Sequence, residues 1–533
     1  MSTRSLKRLD HPAVWWLCFA IGFAIVAARL PTDGSWDFEN YHIYNGFAVF
    51  HDRRGLDIAP AQSQTTLYYG IDAAYYLIFS ALNDRPVLIN LLLSLPYSAA
   101  ALAIFLISRL FAKPGFLWPA LVSVAAALFG LTGAATYATL ATTQSELVPG
   151  LGFLVALAIW LILEKKERNT AWTALGVGGL AGVSVGLKLT EAPLFVGLFL
   201  AIGARFPIGK RSALFEAITF GVGGVAVFAA LDGAWLWSNF RDYGNPIFPF
   251  MNNIFRSDLV AFNDWADHRF LPKTTAMALF YPAYWAFQPS TDVGELSMRD
   301  PRILLGCVSA LILVLGYAWR WLREGTAPSV ASLESLGVSL AIVFLVSYAL
   351  WERAWSIYRY LAVQEALSGV LLIAALPTAF GARSKPWLMS GLFALVVVST
   401  VKATEYPRWN RARRAPQAIS VKLPPFERNA MVLFLDPQPY AYLVPWMPNS
   451  ARVIGVNNNL VGPRSLGRLW SQIGAAVRDH QGPLWGIEDP NDSPGVADVS
   501  LASLGLARKG ECDPLISNLE DWQHVRICRL RRD

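Results

Sequence analysis

The chain has 533 residues, of which 54% are hydrophobic and only 16% are charged, and its mean hydropathy is +0.38. This balance excludes an ordinary soluble globular protein and indicates a protein that crosses a membrane several times. The net charge of +7 does not indicate nucleic-acid binding, because most basic residues lie in short loops between apolar runs, where Lys and Arg set membrane topology.

The apolar runs predict about eleven membrane spans, since a run of this kind can cross a hydrocarbon core of about 30 Å. The first, from Ala13 to Leu30, is interpreted as an uncleaved helix rather than a signal peptide, because many spans follow it and it is long for a signal core. An odd number of spans puts the two termini on opposite sides. The predicted spans are 13–30, 87–107, 117–136, 147–163, 171–187, 192–206, 213–236, 302–319, 332–350, 361–379 and 386–402.

Basic residues precede the first span and follow every even-numbered span, which predicts that these segments are cytoplasmic. They are Arg4, Lys7, Arg8, Arg109, Lys113, Lys165, Lys166, Arg168, Arg205, Lys210, Arg211, Arg320, Arg323, Arg383 and Lys385. The intervening loops, 31–86, 137–146, 188–191, 237–301 and 351–360, are long, acidic, aromatic or almost uncharged, and are predicted to face the periplasm. We call them the first to fifth outer loops, in chain order. The basic run of Arg408, Arg411, Arg413 and Arg414 does not follow this pattern, and a missed or extra span would move the C-terminal region to the other side.

The sequence therefore predicts an inner-membrane protein with a cytoplasmic N-terminus, a transmembrane module at 1–410 and a periplasmic α/β domain at 415–533. In the C-terminal region, short apolar runs at 431–435 and 451–456 alternate with helical stretches such as 466–480, a pattern typical of small α/β domains. Cys512 and Cys528 either form a disulfide, which an oxidising compartment would permit, or remain two free thiols. There is no P-loop, CxxC or HExxH motif, so ATP hydrolysis, thiol redox and zinc protease chemistry have no local support.

An acidic and aromatic cluster, Trp36-Asp37-Phe38-Glu39-Asn40-Tyr41-His42, follows the first span within a few residues. Two segments of the first outer loop, Asp37 to Phe50 and Leu67 to Leu82, have helical spacing. Both are predicted to be helices that lie in the membrane interface rather than cross it.

This layout resembles the GT-C glycosyltransferases, integral membrane enzymes that use lipid-phosphate-linked sugars. The resemblance is carried by the first span, the D-x-E motif Asp37-Phe38-Glu39, the two juxtamembrane helices, Tyr243-Gly244-Asn245-Pro246-Ile247-Phe248-Pro249-Phe250, and Ile357-Tyr358-Arg359-Tyr360-Leu361. It covers roughly the first 400 residues in layout. It implies a bacterial enzyme that moves a hexosyl or pentosyl unit from a polyprenyl-phosphate donor to a lipid, glycan or protein acceptor that faces the periplasm.

The position of Asp37 matches the acidic motif of the GT-C layout, which implies that Asp37 is the catalytic base and that Glu39 is an alternate base or a partner. A phosphate leaving group is a stable anion, so such an enzyme needs one base and some cations rather than the two carboxylates of a glycosidase. The alternative is that Asp37 caps the interfacial helix and that Glu39 is stabilised by the helix dipole. Asp37 and Glu39 could also hold Mg²⁺ or Mn²⁺, although the predicted phosphate-binding cations could make a metal unnecessary.

Lys188 and Arg359 are the candidate ligands of the donor phosphate, with Arg353 close enough in sequence to assist. A lysine between two apolar runs is costly unless it is paired or functional, and an arginine can bind phosphate through two parallel hydrogen bonds. The alternatives are that Lys188 pairs structurally with Glu191, and that the arginines reach towards lipid head groups.

Four further residues are candidate acceptor-binding or accessory residues: His42, Glu146, Arg241 and Arg269. His42 follows Asp37 by five residues, and Glu146 lies at the outer entry to span four, where GT-C relatives often carry an acidic group. A solvated histidine and a glutamate in a first helical turn are the structural alternatives.

Two other functional classes are also compatible with the sequence. A flippase or transporter for lipid-linked oligosaccharides would explain the spans and the cations but not the elaborate first loop. A non-catalytic scaffold for envelope assembly would explain the C-terminal region better than it explains Lys188.

Overall fold

Helices dominate the structure, as expected of a chain whose backbone polar groups must be satisfied inside a membrane. The computed structural model describes residues 11–113, 115–206, 210–325, 327–381, 384–519 and 524–533. The α-helices of these residues are α1 (Pro12–Ala27), α2 (Ile43–Phe50), α3 (Gly70–Leu82), α4 (Pro86–Ala112), α5 (Pro119–Leu131), α6 (Ala134–Ala138), α7 (Leu147–Lys165), α8 (Ala171–Leu187), α9 (Ala192–Gly203), α10 (Ala213–Tyr243), α11 (Asn252–Phe255), α12 (Thr275–Leu279), α13 (Tyr281–Ala286), α14 (Arg302–Glu324), α15 (Leu333–Ala354), α16 (Ala362–Phe380), α17 (Pro386–Ala403), α18 (Leu469–Asp479) and α19 (Val496–Leu504). There is a π-helical turn at Phe38–His42, and there are 3₁₀ turns at Gln62–Thr66, Leu189–Glu191, Tyr358–Leu361 and Ala441–Trp446.

Seven of the described helices are long and apolar enough to span a membrane: α4, α7, α10, α14, α15, α17 and the segment Tyr358–Phe380, which contains α16. The shorter apolar helices α1, α5, α8 and Leu189–Gly203 coincide with the four other predicted spans. The 13 residues of α5 extend only about 20 Å, which is less than a hydrocarbon core of about 30 Å. A multi-pass helical membrane protein is thus confirmed, whereas the number of about eleven spans stays a prediction.

The loops gather at the two ends of the helix bundle. At one end, which we call the site face, Thr143 in the second outer loop donates its N–H to Asp33 in the first outer loop at 2.7 Å. At the other end, Arg205 after α9 bonds Glu164 near the end of α7 at 3.0 Å. This grouping follows the alternation predicted from loop charge. Four of the basic residues used for that prediction, Arg4, Lys7, Arg8 and Arg383, lie outside the described residues.

The basic run after the last span lies on the site face. Arg411 donates hydrogen bonds to the carbonyl oxygens of Leu140 at 2.8 Å and Ala138 at 3.3 Å, and Arg414 donates to the carbonyl of Arg29 at 2.6 Å. Backbone carbonyl oxygens therefore bind the guanidinium groups of Arg411 and Arg414 on this face, although both residues are basic. The C-terminal region begins on the same face as the first outer loop.

Glycines pack α8 closely against α10. A Cβ atom on Gly178 would lie 2.0 Å from the carbonyl oxygen of Phe220, and one on Gly182 would lie 2.5 Å from that of Gly224. Small residues four apart are a common means of close helix packing in membranes. The segment 182–186 also fits the hydrolase pattern GxSxG, but it lies inside a helix, where Ser184 is buried and accepts a hydrogen bond from a neighbouring helix. The pattern therefore serves helix packing, and it fixes α8, the helix that ends directly before Lys188.

The C-terminal region contains a mixed sheet. The strands are β1 (Val421–Lys422), β2 (Met431–Phe434), β3 (Arg452–Gly455), β4 (Leu484–Glu488), β5 (Leu506–Arg508), β6 (Asp513–Pro514), β7 (Ile516–Ser517) and β8 (Arg526–Arg532). The main sheet has the order β3-β2-β4-β8-β5, with β6 paired to β8, and β1 pairs with β7 separately. β2 is parallel to β3 and β4, whereas β8 is antiparallel to its neighbours. Cys512 and Cys528 are joined by a disulfide, which decides between the two alternatives that the sequence left open.

The first outer loop extends this sheet. Ile58 pairs with Ile454 on the edge strand β3, donating its N–H to the carbonyl of Val453 at 3.0 Å and accepting the N–H of Gly455 at 2.8 Å. Covering an edge strand removes a site of unwanted strand pairing. The predicted division of the chain near residues 410–415 stays a prediction, and the two parts are in direct contact.

A buried arginine fastens the first loop to the C-terminal region. Arg53 binds both carboxylate oxygens of Asp57, at 2.8 and 2.7 Å, and donates to the carbonyls of Asn449 at 2.5 Å and Ala451 at 2.6 Å. Asp57 in turn accepts the N–H of Val453 at 2.8 Å. Both charged side chains are about 1% exposed. Each has lost its contact with water, and the opposite charge of the other compensates for this loss.

We expect Arg53→Ala to detach the C-terminal region from the first loop, because Asp57 would remain as a buried unpaired charge at a cost of about 3–5 kcal/mol. Thermal unfolding of the purified protein, together with limited proteolysis of residues 415–430, measures this loss. Arg54→Ala is the matched control, since its neighbouring guanidinium is 35% exposed and pairs with Asp242. Equal unfolding temperatures for the two variants would contradict the assignment.

Candidate active site

Four charged side chains from four loops meet on the site face: Asp37, Glu146, Lys188 and Arg359. Arg359 Nη1 lies 2.9 Å from Asp37 Oδ2, and its Nε lies 3.5 Å from Glu146 Oε1. Lys188 Nζ lies 2.6 Å from the same Glu146 oxygen. We call these four residues the charge cluster. It contains two carboxylates and two cations.

Asp37 stands at the entry to the first helical segment of the outer loop, directly before the π-helical turn Phe38–His42. Its side chain makes no capping hydrogen bond and instead forms the ion pair with Arg359. The alternative that Asp37 is a helix cap is therefore not the arrangement observed. A π-helical turn is rare and is often found at functional sites, and no signal in the sequence indicated one here.

Glu146 and Lys188 are each placed by a helix end. Glu146 stands before α7 without a capping hydrogen bond and is only 1% exposed. Lys188 follows α8 in an extended conformation, which directs the chain from one apolar helix into the next. The ion-pair partner of Lys188 is Glu146 rather than the predicted structural partner Glu191, which is also buried.

The environment of Asp37 favours its ionised form. Burial by itself raises the pKa of the Asp37 carboxyl, but Arg359, and after it His42 and Lys188, lower the pKa below the ordinary value for an aspartate. In the arrangement observed, Asp37 is therefore a carboxylate held by a guanidinium, and its capacity to accept a proton increases when that guanidinium binds another anion.

His42 belongs to a second polar group beside Asp37. Its Nδ1 lies 2.6 Å from Asp72 Oδ1, and Asn45 donates to the other Asp72 oxygen at 3.2 Å. His42 is 3% exposed, and its Nε2 has no hydrogen-bond partner among the described residues. Both predicted helical segments of the first loop are helical, and they contain α2 and α3. These two helices pack closely, since a Cβ atom on Gly46 would lie 2.3 Å from the carbonyl oxygen of Asp72. The sequence did not indicate Asp72, since it lies on the second of these helices, far along the chain from His42.

The remaining predicted residues have different surroundings. Glu39 is fully buried within the π-helical turn. Arg353 is an exposed residue in the last turn of α15. Arg241 pairs with Asp242 and is 66% exposed, and Arg269 pairs with an aspartate and a glutamate of its own loop. The charge cluster thus contains Asp37, Lys188, Arg359 and the accessory candidate Glu146, whereas Arg241 and Arg269 pair with acidic residues of their own loop.

A cleft opens beside Arg359. It is lined by Val293, Gly294, Glu295, Leu296 and Met298 of the fourth outer loop, by Ala135, by Ile357, Tyr358 and Arg359, and by Pro407 and Trp409 after the last span. The fourth loop is fixed there because Tyr358 donates its N–H to the carbonyl of Val293 at 2.7 Å. The Arg359 guanidinium therefore lies at the wall of a small cleft between the fourth outer loop and the segment after the last span.

The residues of the charge cluster fit anion binding better than metal binding. Asp37 and Glu146 already contact Arg359 and Lys188, so a metal would have to displace protein cations from both carboxylates. Among the described residues, the group of potential metal ligands that lies within 4.8 Å is Glu488, Cys512 and Cys528, and its two cysteines form the disulfide. The predicted Mg²⁺ or Mn²⁺ stays a prediction.

We expect Asp37→Asn to lower the melting temperature at neutral pH, because Arg359 would lose its charged partner. Since the pKa of Asp37 is lowered in the folded protein, its carboxylate stabilises the fold above the pKa of the unfolded chain, about 3.9, and this contribution is lost as the pH falls through the folded value. The difference from the wild type should therefore shrink below about pH 4. Thermal unfolding as a function of pH measures it.

Asp52→Asn is the matched control, because it makes the same change at an exposed residue of the same loop. A melting-temperature difference between Asp37→Asn and the wild type that stays constant at every pH would contradict the charged pair.

Comparison with known proteins identifies the family of this chain. No curated protein and no solved structure shows a match to it. Residues 68–348, just over half of the chain, match Glycosyltransferase family 87. The matched segment includes Glu146, Lys188 and Asp72, and Asp37 and Arg359 lie on either side of it. The chain belongs to glycosyltransferase family 87, a family of GT-C-type membrane glycosyltransferases.

Proposed function

We propose that this glycosyltransferase moves one sugar from a polyprenyl-phosphate donor to a hydroxyl group of a periplasm-facing lipid, glycan or protein, with inversion at the anomeric carbon. The observation that carries the proposal is the charge cluster. In it Asp37, a carboxylate that can act as a base, contacts Arg359, a cation that can bind phosphate, and Lys188 provides a second cation. Family membership supports the transfer chemistry, and the cluster supports the choice of donor.

The compartment supports a lipid-linked donor. The charge cluster lies on the face that loop charges assign to the periplasm, and the disulfide is of the kind that persists in oxidising compartments. The periplasm offers no nucleotide sugars, so the sugar must arrive on a carrier that has already crossed the membrane. We place the N-terminus in the cytoplasm and the C-terminal region in the periplasm, in agreement with its contact with the first loop.

In the proposed reaction, the phosphate of the donor binds Arg359 and Lys188 in place of their carboxylate partners. Asp37, released from Arg359, accepts the proton of the acceptor hydroxyl. The hydroxyl oxygen bonds to the anomeric carbon as the bond from that carbon to the phosphate oxygen breaks, and the electron pair leaves with the polyprenyl phosphate. The two cations stabilise the charge on the leaving group, so no general acid is needed.

His42 is proposed to orient the acceptor. Asp72 holds His42 through Nδ1, so Nε2, which has no hydrogen-bond partner among the described residues, is available to bind a hydroxyl group. A carboxylate that fixes the orientation of a histidine is a common arrangement beside reacting groups. Glu39 is proposed to assist Asp37 rather than to act as the base itself, because Asp37 is the carboxylate that contacts Arg359.

Two other functions compete with this proposal. A flippase or a non-catalytic scaffold would need no base beside the cations, and neither would consume a donor. Incubation of the purified protein with labelled polyprenyl-phosphate sugars and a membrane extract distinguishes them, because the enzyme alone yields a labelled product. The same assay with and without a chelator tests the need for a divalent metal.

We expect Asp37→Asn to reduce transfer by roughly 10²–10⁴-fold, the usual contribution of a general base, without preventing insertion of the folded protein. Glu39→Gln is the comparison, since it makes the equivalent change two residues away. Product formation in the labelled-donor assay measures both. Wild-type activity of Asp37→Asn, or complete loss only in Glu39→Gln, would overturn the choice of base.

Arg359→Gln and Lys188→Gln should each raise the donor KM more than the acceptor KM, because each removes a charge-assisted contact to phosphate, worth about 1.5–3 kcal/mol or roughly 10–100-fold. Arg353→Gln tests whether this exposed neighbour assists. Arg320→Gln is the control, since Arg320 is exposed and pairs with Glu324 at the other end of the bundle. An unchanged donor KM in the Arg359 and Lys188 variants would contradict phosphate binding by the cluster.

A further inference from the structure

We propose that Tyr360 is a positioning residue for the donor phosphate, whose ring holds Lys188 and Arg359 together without neutralising them. This inference rests on the proposed function, because it concerns the same two cations. Lys188 Nζ lies 5.6 Å from the centroid of the Tyr360 ring, and the guanidinium carbon of Arg359 lies 5.7 Å from the same centroid. Both distances fall within the range of about 6 Å in which a ring attracts a cation.

The two cations need such a support because like charges repel at short distance. They meet at one carboxylate oxygen of Glu146, to which Lys188 lies at 2.6 Å and Arg359 at 3.5 Å. In the arrangement observed, Glu146 and Asp37 compensate them. A phosphate that binds the cations competes with both carboxylates, so carboxylates alone cannot keep the cations in place during its binding.

An aromatic ring does not compete with phosphate in this way. Its face attracts a cation through the ring quadrupole and carries no net charge, so the N–H groups of Lys188 and Arg359 remain able to donate to phosphate oxygens. Tyr360 is itself fixed by Trp355, whose ring meets it edge-on at a centroid distance of 6.1 Å. The ring therefore sets the spacing of the two cations both before and after the carboxylates are displaced.

Trp409 provides the same support on Arg359 from a different part of the chain. Its ring centroid lies 5.6 Å from the guanidinium carbon, and it lines the cleft beside Arg359. Arg359 thus contacts two aromatic rings, one from its own turn and one from the segment after the last span. The segment that leads to the C-terminal region is in this way part of the donor site.

The test compares Tyr360→Phe with Tyr360→Leu. Phe keeps the aromatic face and should retain the donor KM within about twofold, whereas Leu should raise the donor KM roughly tenfold or more, as expected for loss of a desolvated cation–π contact. The inhibition constant of polyprenyl phosphate, the leaving group without its sugar, should rise in parallel, and the acceptor KM should stay near its wild-type value. Trp409→Leu should raise the donor KM less, because Lys188 keeps its ring.

Tyr406→Leu is the matched control, because Tyr406 lies in the same segment as Trp409 and packs against Tyr137 instead. An unchanged donor KM and inhibition constant in Tyr360→Leu, or equal losses in Tyr360→Phe and Tyr360→Leu, would overturn the inference. If Tyr360→Leu does not fold, as judged by gel filtration, an unchanged donor KM in Trp409→Leu overturns it. Failure of the wild-type protein to use any polyprenyl-phosphate sugar would instead overturn the proposed function.

Discussion

The ion pair between Asp37 and Arg359 is the interaction on which the rest of the candidate site depends. Removing two charges from water is costly, and their attraction repays that cost only where further partners complete the arrangement. Here Glu146 and Lys188 complete it, so that the charge cluster contains equal numbers of carboxylates and cations. Each of the four residues comes from a different loop, and the fold must hold those loops in one relative position.

Buried polar contacts on the site face provide that rigidity. The helix α6, in the loop that leads to Glu146, begins with three N–H groups that are bound by carboxylates from other segments, Ala134 by Asp300 and the next two residues by Glu365. These N–H groups have no partner within their own helix. Arg302, completely buried, binds Asp300 and the carbonyl oxygen of Phe129. The loops around the site are thus joined by charge-assisted hydrogen bonds, which are stronger than hydrogen bonds between neutral groups.

Much of the site could be predicted from the sequence because charged residues next to apolar helices are few and costly. Asp37, Glu146, Lys188 and Arg359 were all recognisable on that ground, and loop charges placed them on one face. Their pairing could not be predicted, since it depends on which helices are neighbours in space. The sequence offered Glu191 as an alternative partner of Lys188 because it is close along the chain, but Glu146 is the partner in space. Tyr360 and Trp409 were missed because aromatic residues are common at membrane interfaces. Asp72 was missed because it lies far along the chain from His42, its partner in space.

The contact between the first outer loop and the C-terminal region has a consequence for how the protein is made. The 3₁₀ turn Ala441–Trp446 packs against the π-helical turn Phe38–His42, and Arg53 binds carbonyl oxygens at Asn449 and Ala451. These partners are separated by almost 400 residues, so the ribosome releases the first loop long before its partner exists. The segment that carries Asp37 must therefore wait for nearly the whole chain to be synthesised, and a protein truncated after its last span would carry every residue of the charge cluster without the support that shapes it.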